Sequence, residues 1–117
     1  MLSKKEIQYK IDYEIIVDCY DEYEMSAGWY CFMEEAIRFP FQATIKLEKR
    51  DGVIETKEVE IVGLSSDEEG FMNNDFDLEI ENGQYIQTIS YSELSNIKAS
   101  AETLEAFRIW EYWINNL

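Results

Sequence analysis

The side chains able to do chemistry in this chain are almost all carboxylates: 25 Asp and Glu stand against 10 Lys and Arg, with no histidine. Without imidazole, every nucleophile–histidine arrangement is excluded, along with the commonest general base near neutral pH. Cys19 and Cys31 are too few and too far apart for a thioredoxin-type pair or a zinc site, and are expected to be buried free thiols. What remains is an oxygen-only donor set. That chemistry suits Ca2+, which takes about six to eight oxygen ligands at about 2.3–2.6 Å. No Asp-x-Asp-x-Asp-Gly loop closing on Glu is present, so an EF-hand is excluded and any such site is irregular.

The acids fall in two blocks. From Ile11 to Ile37 run Asp12, Glu14, Asp18, Asp21, Glu22, Glu24, Glu34 and Glu35 with no Lys or Arg between them. From Glu58 to Glu93 come Glu58, Glu60, Asp67, Glu68, Glu69, Asp75, Asp77, Glu79 and Glu81, again with no cation until Lys98. Such a field attracts cations and repels phosphate backbones, which argues against a nucleic-acid partner. The candidate ligands are the helix pair Glu34 and Glu35, the loop acids Asp67, Glu68 and Glu69, and Asp75 and Asp77 at the start of a strand. Each has a plainer reading as solvated surface. The row Asp75, Asp77, Glu79 and Glu81 spaces its carboxylates about 7 Å apart, too far for all to meet on one ion.

These acids must be positioned by elements that the patterning outlines. Trp29, Phe32, Met33, Ala36 and Ile37 share one helical face, and Pro40 forces the helix to end by Arg38 and the chain to leave extended. Ser3 and Glu6 have the spacing of a capping box, and Ile7, Ile11 and Ile15 then share a face. The strict alternation from Ile7 to Cys19 reads equally as a strand; the cap, and the helix that follows Asp21, favour a helix over about Lys4 to Tyr20. Ala43, Ile45 and Leu47 alternate inward on a first strand, Arg50-Asp51-Gly52 turns, and Val59 and Ile61 face inward on a second that ends near Gly63. Residues 65–74 read as a surface loop. Asn82-Gly83 predicts a type I′ hairpin with Ile80 opposite Tyr85, Leu78 opposite Gln87 and Phe76 opposite Ile89. A polar stretch from Ser90 to Ser100 leads to a last helix, capped by Ser100, with Leu104, Phe107, Trp110, Ile114 and Leu117 on one stripe and Trp113 beside it. The expected fold is α+β: two N-terminal helices, a four-stranded antiparallel, strongly bent sheet or partly open barrel, and a C-terminal helix. Residues 1–117 are expected to be one domain. No apolar run reaches the roughly 18–20 residues of a membrane span, and Met1 to Ile7 lacks a secretion signal's apolar stretch, so no membrane partner and a cytoplasmic location are expected.

With Asp18, Tyr20, Glu24, Gly28, Trp29, Met33-Glu34-Glu35, Phe39-Pro40-Phe41, Val59 to Leu64 and Trp110-Glu111-Tyr112-Trp113 in view, the chain resembles the small acidic bacterial calcium-binding protein family first described in cyanobacteria. The resemblance implies an SH3-like sheet flanked by helices, a helix rather than a strand over Lys4 to Tyr20, and Ca2+ held by surface carboxylates. Glu35 is the helix acid it carries over, at a position where the family is expected to have Asp. The reading is a non-enzymatic calcium binder, buffer or sensor. Its rival is an acidic interaction module meeting a basic protein, for instance by neutralising a nuclease or mimicking nucleic acid. Hydrolysis by paired carboxylates would need a cleft that nothing in the sequence outlines.

Overall fold

The computed structural model describes residues 2–116. The first helix, α1 (Lys4–Lys10), opens on the expected capping box: the Ser3 hydroxyl accepts from the Glu6 N–H and the Glu6 carboxylate accepts from the Ser3 N–H, both at 3.2 Å. The helix runs on through a π-helical turn, Ile11–Ile15, and stops there rather than at Tyr20. The cause is local, because Asp18 adopts a left-handed backbone (φ 58°) that a helix cannot continue through. Ile7, Ile11 and Ile15 are buried while Tyr9, Tyr13 and Val17 are exposed, the face a helix makes and a strand does not.

Asp21 caps α2 (Glu22–Ala36), its carboxylate accepting from the Glu24 N–H at 2.8 Å. Trp29, Met33 and Ile37 are buried, with Phe32 and Ala36 partly so, as the stripe predicts. The chain then extends into β1 (Phe41–Glu48), turns at Gly52 (φ 83°), and returns as β2 (Ile54–Leu64). Ala43 and Ile45 point inward with Val59 and Ile61, but Leu47 is exposed near the end of the hairpin. β2 ends at Leu64, next to Gly63 as expected, and a bulge between Ile61 and Gly63 shifts its register against β3 (Asp77–Asn82).

The β3–β4 hairpin (β4, Tyr85–Ser90) differs from the expected register by two residues: Asn82 pairs with Tyr85, Ile80 with Gln87 and Leu78 with Ile89. Gly83 (φ 65°) holds the first central position of the turn, where a type II′ turn requires a glycine. An even slip preserves the inward face, and it sets buried Leu78 opposite buried Ile89. Among the described residues the sheet has five strands, not four. The stretch expected to be merely polar holds a single 3₁₀ turn, Tyr91–Glu93, with Tyr91 in the core, and a short β5 (Ser95–Lys98) that pairs with β1. The antiparallel order is β4-β3-β2-β1-β5, open, with β4 and β5 as its edges.

Ser100 caps α3 (Ala101–Asn115) as expected, accepting from the Thr103 N–H at 3.2 Å. Its inward stripe is rotated from the predicted one: Thr103, Ala106, Phe107, Ile109 and Trp110 are buried, whereas Leu104 is exposed and Leu117 lies outside the described residues. Thr103 is inside because its hydroxyl accepts from the Arg38 N–H at 2.8 Å, tying α3 to the exit of α2. Trp29 and Trp110 cross edge-to-face at 5.0 Å and join the helices to the Phe71, Phe76 and Phe107 rings of the core. Both cysteines are free, but neither is buried: Cys31 is exposed on α2 and Cys19 partly so. No helix among the described residues is long and apolar enough to cross a membrane.

Candidate metal centre

The loop from Ser65 to Asp75 is fastened at several points. Buried Ser66 accepts from the Asp77 N–H at 2.7 Å, and its hydroxyl donates to the Gly70 carbonyl at 3.5 Å. Inside the turn, Gly70 N–H donates to the Asp67 carbonyl and Glu69 N–H to the Asp67 carboxylate, each at 3.0 Å. Phe71 enters the core, stacks on Phe76 at 4.9 Å, and donates its N–H to the buried Ser26 hydroxyl of α2 at 3.0 Å. These contacts fix the loop backbone against α2 and leave the carboxylates of Asp67, Glu68 and Glu69 exposed.

Across from them, Tyr23, Tyr30 and Glu34 follow one stripe of α2 at i, i+7 and i+11. The Tyr23 hydroxyl donates to Glu68 at 3.5 Å, and Glu34 lies four residues on from Tyr30, one turn along the same helix. Together the two tyrosines and the three loop acids line a shallow recess of about 380 Å³. Glu68 anionic beside Tyr23 raises its phenol pKa, helped by desolvation and Glu69; Glu34 does the same to Tyr30, with Glu68 adding to it. Both phenols are therefore neutral donors at physiological pH. The recess offers carboxylate and phenol oxygens and no nitrogen or sulfur, a donor set for a hard cation.

Not every sequence candidate meets there. Glu35 points the other way, into a separate recess of about 410 Å³ beside Lys10, Glu14 and Cys31. Asp75 is engaged in structure: one oxygen accepts from the Phe76 and Ser92 N–H groups at 2.9 and 3.2 Å, and the other from the Ser92 hydroxyl at 2.6 Å. Asp77 accepts from the Ser90 hydroxyl at 3.0 Å. Among the described residues, no three Asp, Glu or Cys side chains converge closely enough to hold a metal ion as they stand. Tyr23 and Tyr30 were not among the sequence candidates; their helical spacing from Glu34 was the available signal.

Residues 9–114 match a sequence-family model, Calci_bind_CcbP, described as calcium binding. Two solved structures superpose over nearly the whole chain. The crystal structure of Anabaena CcbP is 29% identical with a TM-score of 0.77, covering 97% of this chain and 93% of that one. A calcium-binding protein in its calcium-binding form is 28% identical with a TM-score of 0.75, covering 99% and 97%. No curated protein matches the sequence significantly.

Proposed function

The chain belongs to the CcbP calcium-binding family, and we propose on that footing that it is a non-enzymatic calcium-ion binder, a buffer or sensor, whose ion is taken between α2 and the 65–75 loop. One observation carries the location: the recess sets Asp67, Glu68 and Glu69 of the loop against Tyr23 and Tyr30 of α2, and Glu34 stands close enough to Tyr30 to raise its phenol pKa. Its donors are oxygens throughout, as Ca2+ requires. Glu34, Asp67, Glu68 and Glu69 are the residues that would hold the ion. Glu35 faces a different recess, and Asp75 and Asp77 already accept hydrogen bonds from the backbone and from serines. Binding then means rotation of exposed glutamate side chains toward the ion over a backbone that is already pinned. We read residues 1–117 as one such domain, acting in the cytoplasm.

Calorimetric titration with calcium and then magnesium tests the reading. Calcium is expected to bind and magnesium to bind much more weakly, because an irregular site of mobile carboxylates does not supply the tight octahedron that magnesium demands. Glu68→Gln and Glu34→Gln should each weaken calcium by roughly tenfold or more, about 1.4 kcal/mol per tenfold. An absence of calcium binding overturns the function. Calcium binding that neither substitution changes overturns the location.

A further inference from the structure

The same loop has a second face. Beyond Glu69, Phe71 and Met72 close one side of a groove of about 300 Å³ whose other apolar walls are Met25 and Trp29 of α2 and Trp113 of α3, with Glu22, Ser26 and Asn74 completing the lining. Met72 is 39% exposed and Trp113 only partly buried, so the groove presents apolar surface to solvent. Its size is at the lower limit of small-molecule pockets, about 300–1,000 Å³, and its lining is apolar with few polar groups. Apolar side chains suit it better than a cofactor. Methionine on two sides lets it adapt to the shape of what enters.

Charge decides what can cover it. The groove's own lining holds one carboxylate, Glu22, and no Lys or Arg, and two of the three segments that build it, α2 and residues 65–76, contain no cation at all. A second copy of the chain would bring the same net charge of −15 and be repelled. Anionic lipid and nucleic acid are disfavoured on the same ground. The groove lies between helix flanks and a loop rather than on a sheet edge, so strand addition does not apply. We propose that it is a docking surface for a cationic, amphipathic segment of a partner protein, which inserts apolar side chains between Met25, Met72 and Trp113 and sets Lys or Arg against Glu22 and the negative field of the chain as a whole.

The test uses the full chain and two fluorescent synthetic peptides, a Lys/Leu sequence patterned as an amphipathic helix and a Lys/Ser peptide of the same charge and length. Fluorescence anisotropy at physiological ionic strength should show the Lys/Leu peptide binding at least roughly tenfold more tightly. Met72→Glu adds negative charge and would strengthen purely electrostatic attraction, so abolition of the preference by this variant identifies apolar insertion at the groove. Tyr85→Ser, at an exposed position on the β4 edge, should keep the preference. Equal binding of the two peptides, or a preference that survives Met72→Glu, overturns the proposal. Calcium affinity is read separately on the same samples: loss of peptide preference with calcium binding intact defeats the groove alone, and a chain that selects the peptide without binding calcium leaves the groove standing.

Discussion

Tyr23 and Glu68 are 45 residues apart in the chain and meet only because Ser26 and Ser66 fasten the loop to its place. Their pairing makes a specific titration. An adjacent anion disfavours phenolate, so Tyr23 loses its proton above the ordinary value of about 10, and Tyr30 likewise beside Glu34. A cation in the recess reverses the sign by favouring phenolate. The near-ultraviolet phenolate absorbance is therefore expected to show a component that titrates above the ordinary phenol value without calcium and moves to lower pH with it. Tyr23→Phe should remove part of that component, and Glu68→Gln should lower it in the absence of calcium; a phenolate curve indifferent to calcium would contradict the recess as the site. That the loop acids are exposed was legible in the sequence because a run without periodicity must be surface. Which flank of α2, the one with Glu34 or the one with Glu35, faces the loop was not. That is decided by Phe71 and Ser26, distant from each other in sequence. Asp75 and Asp77 looked free for the same reason, since their donors, Ser92 and Ser90, arrive from across the hairpin.

At the level of elements, the contact that fixes the first helix to the second is made by backbone. A Cβ at Gly28 would overlap the Ile15 carbonyl, where the π-helical turn presses on α2. Gly28→Ala must force the two helical segments apart, because a carbonyl in a helical turn cannot swing aside as a long side chain can. The expected cost is about 1–3 kcal/mol, the usual range for overpacking, read as a lower urea midpoint with an unchanged slope. An unaltered midpoint would mean that the turn is not held as described. Elements with a cap and a long apolar stripe were readable: Ser3 with Glu6, the α2 face through Trp29 and Met33, the Ser100 cap. Elements whose evidence lies in a partner were not. β5 offers a single half-buried apolar residue, Ile97, and exists by pairing with β1. Thr103 is a polar residue on the inward face of α3, where its hydroxyl accepts from the Arg38 N–H, and it shares that face with Ala106, Phe107, Ile109 and Trp110 while Leu104 stays outside.

For the molecule as a whole, composition stated the class of ligand, while the fold decides how a net charge of −15 is spread and hence what a cation does to stability. Self-repulsion among exposed carboxylates weakens the folded state, and added salt relieves it by shortening the reach of each charge, from about 30 Å at 0.01 M to about 8 Å at 0.15 M. At low ionic strength calcium and magnesium should therefore both raise the melting temperature, for a reason unconnected with any site. At physiological ionic strength that shared increment largely disappears. What remains is linkage: an ion held by the native state alone, at 100 times its dissociation constant, adds about 2.7 kcal/mol, which for a chain of this length is a rise of roughly 10 °C. Thermal melts in both salt conditions with each ion separate the two effects. Calcium should retain its increment at high salt, magnesium should lose nearly all of its own, and Glu68→Gln should cut the retained part to about half or less, in line with a tenfold or greater loss of affinity, without lowering the ion-free melting point, since it deletes one of the repelling carboxylates. Calcium and magnesium increments that stay equal at physiological ionic strength would reduce the acidic recess to diffuse charge and remove the physical basis for a specific ion.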